Sequence, residues 1–207
     1  MYKTEQEKFW QGKFGDAYIE RNTEEVCMSG KIAFWSKILS KTVGVESCIE
    51  YGSNIGLNLK AIKMLCHTMD LHAVEINDTA VEIMKNDKSF PVTVYHDSIL
   101  DVNIEDKYDL VFTMGVLIHI NPNELMTVYE KLYNTSKKYV LIAEYYNPCP
   151  MELSYRGNKE RLFKRDFAGE FMDMYPDCKL EDYGFIYHRD NNFPLDDITW
   201  FLMKKEK

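Results

Sequence analysis

Apolar runs and amphipathic segments alternate regularly along the chain from residue 45 onward. Short apolar runs predict strands at 47–51, 71–76, 92–96, 108–114, 138–145, 179–188 and 197–204. Apolar residues three or four positions apart predict helices at 55–67, 78–86 and 122–134, with a weaker connection at 99–105. This alternation is typical of an α/β, Rossmann-like fold, in which helices cover both faces of a mostly parallel sheet. The short link 190–196 predicts a final hairpin, so we expect an antiparallel last strand.

The segment before the sheet, residues 1–40, has the apolar spacing of helices. Within it, 9–22 interleaves aromatic residues with two glycines. One interpretation is a fixed helical arm that packs its aromatic side chains on the sheet. The other is a lid that closes over a ligand, with substrate contacts from Tyr18, Arg21 and Asn22. We expect one domain, in which this arm or lid precedes a core at 41–207 with an insertion at about 147–170.

The turn between the first strand and the first core helix carries the clearest chemistry. The strand runs into Gly52, and the pattern is Glu50-x-Gly52-x-Asn54-x-Gly56. Dinucleotide sites have the spacing G-x-G-x-x-G, which this turn lacks. Asn tolerates positive φ better than most residues, so it can replace a glycine here. The turn predicts either a nucleotide-type cofactor loop or an ordinary strand–helix connection.

This pattern resembles motif I of the class I S-adenosylmethionine (SAM) methyltransferases, E/D-x-G-x-G-x-G, with Asn54 at the middle glycine. The resemblance implies the seven-stranded sheet of that class and SAM as the cofactor. It also implies that the turn contacts the methionine part of SAM. The residues expected to do so are Tyr51, Gly52, Ser53, Asn54 and Gly56.

The ends of the next strands carry side chains that suit the rest of this cofactor. Glu75 follows Gly52 by 23 residues, and an acid at such a strand end accepts hydrogen bonds from ribose hydroxyls, with Ile76 beside it. By the same resemblance, Asp97 and Ser98 at the third strand end would contact the adenine amino group. Met114 and Gly115, at the fourth, would approach the transferable methyl group.

Candidate catalytic residues follow the fourth and fifth strands. His119 lies in a turn before Pro122, where it is either a general base or a structural histidine bonded to a turn carbonyl. Glu144, in the fifth strand, could orient a donor or act as a base, and Tyr146, directly after that strand, is a candidate catalytic residue that could also bind a ligand. Tyr145 and Asn147 are expected to contact the substrate or, in the alternative interpretation, the tyrosines only wall the pocket.

Several further segments resemble a narrower group, the pseudaminic acid biosynthesis-associated methylases. They are FWQGKFGDAYIERN, EYGSNIGLNL, GVLIHINP, AEYYNPCP and YRGNKERLFKRDFAGE, which span nearly the whole chain. The resemblance implies an acceptor connected with acidic sugars, contacted by the lid and by the Arg156 and Arg165 regions. It does not imply which molecule is methylated.

Charge bears on the acceptor. The formal net charge of −8 argues against a nucleic-acid partner, because binding phosphates normally needs a basic surface. The basic run from Arg156 to Arg165 stands out against this acidic background. It is either a solvated helix face, with Arg165 in a helical run, or a site for a carboxylate or phosphate. The second interpretation predicts a small anionic acceptor such as an acidic or nucleotide-activated sugar.

The remaining composition narrows the class. The 207 residues suit one domain, and no apolar run approaches the roughly 18 residues of a membrane span, so we expect a cytoplasmic protein without membrane contact. Five scattered cysteines form no CxxC pair and indicate neither a metal site nor a disulfide framework. A SAM-dependent methyltransferase is the function expected. A tRNA or nucleic-acid methyltransferase and a non-catalytic SAM-binding partner protein are the alternatives.

Overall fold

The computed structural model describes residues 2–21 and 23–206, and a seven-stranded sheet organises it. Its strands are β1 Ser47–Tyr51, β2 Asp70–Glu75, β3 Thr93–His96, β4 Tyr108–Met114, β5 Ser136–Glu144, β8 Cys178–Ile186 and β9 Ile198–Lys205. Their order is β3-β2-β1-β4-β5-β9-β8. The first five strands pair in parallel, and β9 is antiparallel to both of its neighbours. The predicted sheet is therefore confirmed.

Helices cover both faces of this sheet, as predicted. Their bounds are α1 Glu5–Gln11, α2 Lys13–Arg21, α3 Glu24–Leu39, α4 Leu57–Leu65, α5 Asp78–Asn86, α6 Leu125–Thr135 and α7 Phe167–Met174. Strand β4 shows why its sequence is continuously apolar: Leu110 and Phe112 belong to the core under α3, α4 and α5, whereas Val111 belongs to the core under α6 and α7. A strand buried on both faces has no polar side to alternate with.

The strand order places a ligand site. Strand β1 lies between β2 and β4, and the order of the sheet reverses there. In open parallel sheets, the connections at such a reversal leave a crevice at the carboxyl ends of the strands. The turn at 52–56 leaves β1 at that crevice.

The N-terminal helices are held over the crevice by side-chain contacts. Asn77 Nδ2, at the start of α5, donates to the carbonyl oxygens of Trp10 and Gln11 at 3.3 Å each. On the other side, Gln6 Nε2 donates to the carbonyl oxygen of Glu160 at 2.9 Å. The predicted helical character of this segment is confirmed, and its opening as a lid stays a prediction. Asn22 lies outside the described residues.

The basic run at 156–165 forms an antiparallel hairpin of β6 (Met151–Tyr155) and β7 (Asn158–Lys164), so the helical run expected around Arg165 is wrong. Arg156 and Gly157 form its two-residue turn, with φ of 48° and 83°. Positive φ at both turn residues matches the twist of paired strands. Within β7, Leu162 is buried, whereas Arg161 and Lys164 are half-buried and Lys159 is exposed.

None of the helices in residues 2–21 and 23–206 combines the length and hydrophobicity needed to cross a lipid bilayer.

Candidate functional site

A cavity of about 450 Å³ lies at the carboxyl ends of β1, β2 and β4. Residues 52–55 of the turn, the N-terminal helices and the link at 194–196 all contribute to its lining. Cavities of roughly 300–1,000 Å³ are typical of sites for small ligands. The crevice predicted from the strand order is thus a ligand-sized cavity.

The turn has the left-handed backbone that its sequence predicts. Gly52, Asn54 and Gly56 have φ of 77°, 49° and 76°. A Cβ atom at Gly52 would lie 2.7 Å from Val116 Cγ2, so the position also needs glycine for space. Several amides of the turn bond to the protein: the N–H groups of Gly52 and Ser53 donate to the carbonyl of Val74, at 2.8 and 3.2 Å. These bonds fix the shape of the turn, whose Gly52, Ser53 and Asn54 line the cavity.

Glu75 links this turn to the start of α5. Its Oε2 accepts from the N–H of Asn54 at 2.6 Å, and its Oε1 accepts from the N–H groups of Ile76 and Asn77 at 2.9 and 2.8 Å. Burial raises the pKa of this carboxyl, and the three backbone donors oppose the rise. A carboxylate has about four acceptor directions. Glu75 therefore keeps one for a ligand hydroxyl in the cavity that it lines.

The motif acid Glu50 lines the same cavity, and the sequence analysis did not single it out as a ligand. Asn58 Nδ2 donates to its Oε1 at 2.6 Å, whereas its Oε2 is buried without a partner among the described residues. Asn58 Oδ1 in turn accepts from Lys31 Nζ at 2.8 Å. Burial raises the pKa of Glu50 and lowers that of Lys31, since each charge loses its water. The Asn58 side-chain amide thus bonds to both the Glu50 carboxyl and the Lys31 amine and holds them close together.

His119 also lines the cavity, and it is buried among aromatic rings. Its Nδ1 is 2.5 Å from the carbonyl oxygen of Arg161. A carbonyl can only accept, so Nδ1 carries the proton and Nε2 keeps its lone pair. Burial lowers the pKa of His119 to about 4, so the ring is neutral at pH 7. The histidine is bonded to a carbonyl, as the structural interpretation predicts, yet it lines the cavity with an unprotonated nitrogen.

Solved structures share this architecture. A SAM-dependent methyltransferase from Clostridium acetobutylicum has a TM-score of 0.66 at 12% identity, with 94% of this chain and 98% of that one covered. Magnesium protoporphyrin IX methyltransferase from Synechocystis, with bound SAH, has 0.67 at 11%, with 97% and 98% covered. The plantazolicin methyltransferase with a pentazolic analog and SAH has 0.67 at 10%, with 97% and 95% covered. The fold is that of the class I methyltransferases. No family model and no curated protein matches the sequence.

Within this methyltransferase fold, the other predicted cofactor residues divide into two groups. Those that line the cavity are Ile76, Ser98, Met114 and Gly115. Asp97 is exposed and lies beside a smaller pocket of about 210 Å³, and its Oδ1 accepts from the N–H of Ser98 at 2.7 Å. The Tyr51 side chain is in the core, where its hydroxyl lies 3.2 Å from Thr135 Oγ1. Gly56 contacts the core beneath the turn, because a Cβ atom there would meet Met84 and Phe90.

Glu144, predicted as a base, lies outside the cavity lining and holds the turn that carries His119. Its Oε1 accepts from the N–H groups of Val116 and Leu117 at 3.0 Å each, and its Oε2 accepts from that of Ile118 at 3.3 Å. Burial raises its pKa to about 7. The bonds to three consecutive amides turn this carboxyl away from the cavity, so the geometry gives it a positioning role.

Tyr146, predicted as catalytic, and the predicted substrate residues Tyr145 and Asn147 also lie outside the cavity lining. Tyr146 is exposed and packs on Phe201, with ring centroids 5.8 Å apart. Asn147 Nδ2 donates to the carbonyl of Cys149 at 2.5 Å, and the Tyr145 ring lies 5.2 Å from Lys164 Nζ. The hairpin of β6 and β7 explains this placement. A β-bridge between Tyr146 and Arg165 holds the segment after β5 against the end of the hairpin.

The predicted arginines lie elsewhere too. Arg156 is exposed at the hairpin turn, and Arg165 Nε pairs with Glu170 Oε1 at 2.6 Å. The Arg21 guanidinium lies 5.5 Å from the centre of the Phe14 ring. Of the predicted N-terminal contacts, Tyr18 lines the cavity, and no arginine among residues 2–21 and 23–206 does.

Residues that the sequence analysis missed include Trp10, Lys31 and Asn58, all of which line the cavity. The sequence held two local signals for these residues. The aromatic spacing of α1 pointed to Trp10, and the motif acid Glu50 pointed to the residues that bond to it. In the described part of the chain, no group of three His, Cys, Asp or Glu side chains could hold a metal ion.

Proposed function

We propose that this protein is a SAM-dependent methyltransferase. One observation carries the proposal: Glu50, the glycine turn and Glu75 line a single cavity in a class I methyltransferase fold. Two similar structures were solved with SAH, the demethylated product of SAM. The likeness in fold supports the same cofactor for this chain.

The residues of the cavity fit that cofactor. Glu50 Oε2 is a buried acceptor without a partner among the described residues, which suits the ammonium of an amino acid. Lys31 Nζ has further donors for a carboxylate, and Glu75 has an acceptor direction for a ribose hydroxyl. When bound, SAM supplies an electrophilic methyl group on its sulfonium. The protein's tasks are then to orient the two reactants and to receive a proton.

His119 is the residue that we propose for the proton. Its Nε2 lone pair is fixed by the Nδ1 bond to Arg161, and it belongs to the cavity lining. The proton of a hydroxyl becomes strongly acidic as its oxygen is alkylated, so a weakly basic imidazole can accept it.

The acceptor is proposed to be a small molecule, and the acidic or nucleotide-activated sugar of a pseudaminic acid-type pathway rests on the sequence resemblance alone. The names of the similar structures include a magnesium protoporphyrin and a plantazolicin analog, so the fold accommodates very different acceptors. The absence of nucleic-acid binding and a cytoplasmic location stay predictions. The test of the proposed function is calorimetric binding of SAH, followed by turnover of SAM with mass detection of a methylated product.

We expect Glu75→Ala to weaken SAH by about 1.5–3 kcal/mol, or roughly 10- to 150-fold, because hydrogen bonds to a buried carboxylate are lost. Calorimetry measures the effect. Asp97→Ala is the matched strand-end variant, and its exposure predicts a much smaller change. Equal losses of SAH affinity in the two variants would indicate that Asp97 is also a cofactor ligand. An unchanged affinity in Glu75→Ala would show that Glu75 is not one.

The affinity for SAH is expected to rise with pH between about 6 and 7.5. Burial raises the pKa of Glu50 to about 8, so its carboxyl is largely protonated before binding. An ammonium beside it favours the ionised form, and binding therefore releases a proton. Calorimetry in buffers of different ionisation enthalpy counts that proton. Glu50→Gln should abolish the slope, and an equal slope in that variant would show that another group titrates.

A further inference from the structure

Aromatic rings pack around His119 in the cavity lining. The ring centroid of Trp10 lies 4.6 Å from that of His119 and 5.3 Å from that of Tyr18. All three residues line the cavity, and we call them the aromatic compartment. Flat apolar walls favour a ligand that presents the C–H face of a ring rather than a strongly hydrated group.

The charges around the cavity disfavour an anion in this compartment. The acidic side chains that line the whole cavity are those of Glu7, Glu50, Glu75 and Asp196, and Lys31 is the only lysine of the described residues that lines it. Lys31 bonds to Asn58 beside Glu50, and its remaining donors are those assigned above to the carboxylate of the cofactor. With Lys31 assigned to the cofactor and no arginine of the described residues in the lining, a carboxylate or phosphate next to His119 would lose water without gaining a lysine or arginine partner.

Two ring nitrogens of the compartment have unused hydrogen-bonding capacity. The indole N–H of Trp10 is buried and has no acceptor among the described residues. His119 Nε2 has a lone pair, because the proton is on Nδ1. One donor and one acceptor on adjoining rings match a hydroxyl group, which can accept from the first and donate to the second.

We propose that the aromatic compartment is the acceptor subsite and that it takes an uncharged, hydroxylated ring. The ring packs on Trp10 and Tyr18, and its reactive hydroxyl donates to His119 Nε2 and accepts from the Trp10 indole. Any acidic group of the acceptor lies outside this compartment. This inference rests on the proposed function, whose cavity it divides into a cofactor part and an acceptor part.

The test uses the whole protein, labelled with ¹⁵N and saturated with SAH. The chain has three tryptophans, so three indole N–H signals are expected, and Trp10→Phe identifies that of Trp10. The probes share one ring: methyl glucoside is neutral, glucuronate is anionic and glucosamine is cationic. We expect methyl glucoside to shift the Trp10 signal in a saturable way and to bind more tightly than the other two.

Two variants then test the two hydrogen bonds separately. In each, the binding of methyl glucoside is measured from the shifts of backbone amide signals around the cavity. Trp10→Phe keeps a ring without the donor, and His119→Asn removes Nε2, so each should weaken methyl glucoside about three- to tenfold. Tyr183→Phe, which removes a hydroxyl from an exposed ring outside the cavity, should change nothing. If Trp10→Phe does not fold, His119→Asn carries the test.

Several outcomes overturn the inference: no shift of the Trp10 signal up to the solubility of methyl glucoside, tighter binding of glucuronate, or unchanged affinity in both variants. Calorimetry with SAH on the same sample distinguishes a failure of the acceptor subsite from a failure of the proposed function. Bound SAH without glucoside binding refutes the acceptor subsite alone, whereas absent SAH binding refutes the proposed function.

Discussion

Replacing His119 by Asn is expected to lower the turnover of a hydroxyl acceptor by about 100-fold or more, with the affinity for SAH unchanged. The Asn amide can take over the donation that Nδ1 makes to the Arg161 carbonyl, so the turn keeps its anchor. The variant lacks a counterpart of Nε2 and therefore leaves the acceptor's proton without a recipient. Single-turnover kinetics with bound SAM measures the loss.

The pH profile adds a second readout. Because the pKa of His119 is lowered to about 4, the wild-type imidazole stays unprotonated from pH 8 down to about 5.5. Its protonation should therefore cause no fall in turnover over that range. His67→Asn, at an exposed histidine outside the cavity lining, is the matched control. Wild-type turnover in His119→Asn would leave this histidine with the structural role only.

Glu144→Ala is expected to lower the free energy of unfolding by about 3–5 kcal/mol, because three backbone amides, two of them in buried hydrogen bonds, lose their acceptor. For a chain of this length, that corresponds to a fall in Tm of roughly 10 °C. Thermal denaturation followed by circular dichroism measures it. A fall of less than about 2 °C would show that the turn at 116–118 does not depend on this carboxyl.

Glu144→Gln distinguishes a positioning residue from a base. The amide keeps one oxygen for the backbone donors, so the loss of stability should be smaller than in the alanine variant. Well below its Tm, this variant should retain most of the wild-type turnover. A loss of about 100-fold in a folded Glu144→Gln protein would instead indicate that the carboxyl takes part in the chemistry.

Features set by neighbouring residues could be predicted from the sequence. The strands β1 and β4 and the helix α5 fall at the predicted bounds, because apolar periodicity is a local property. Asn54 adopts the positive φ that its place in the turn requires. The seven-stranded sheet followed from the alternation of elements and the final hairpin. Glu75 reaches the cavity because it is the last residue of its own strand, β2.

The tertiary structure alone decided which side chains meet. Asn58 joins Glu50 to Lys31, which lies 27 residues before Asn58 in the sequence. Trp10, near the start of the chain, packs on His119. The Glu144 side chain could have faced the cavity, but three unpaired amides of the neighbouring turn lay within its reach. Buried polar groups bond to whatever partner the fold brings near them, and a sequence pattern does not specify that partner.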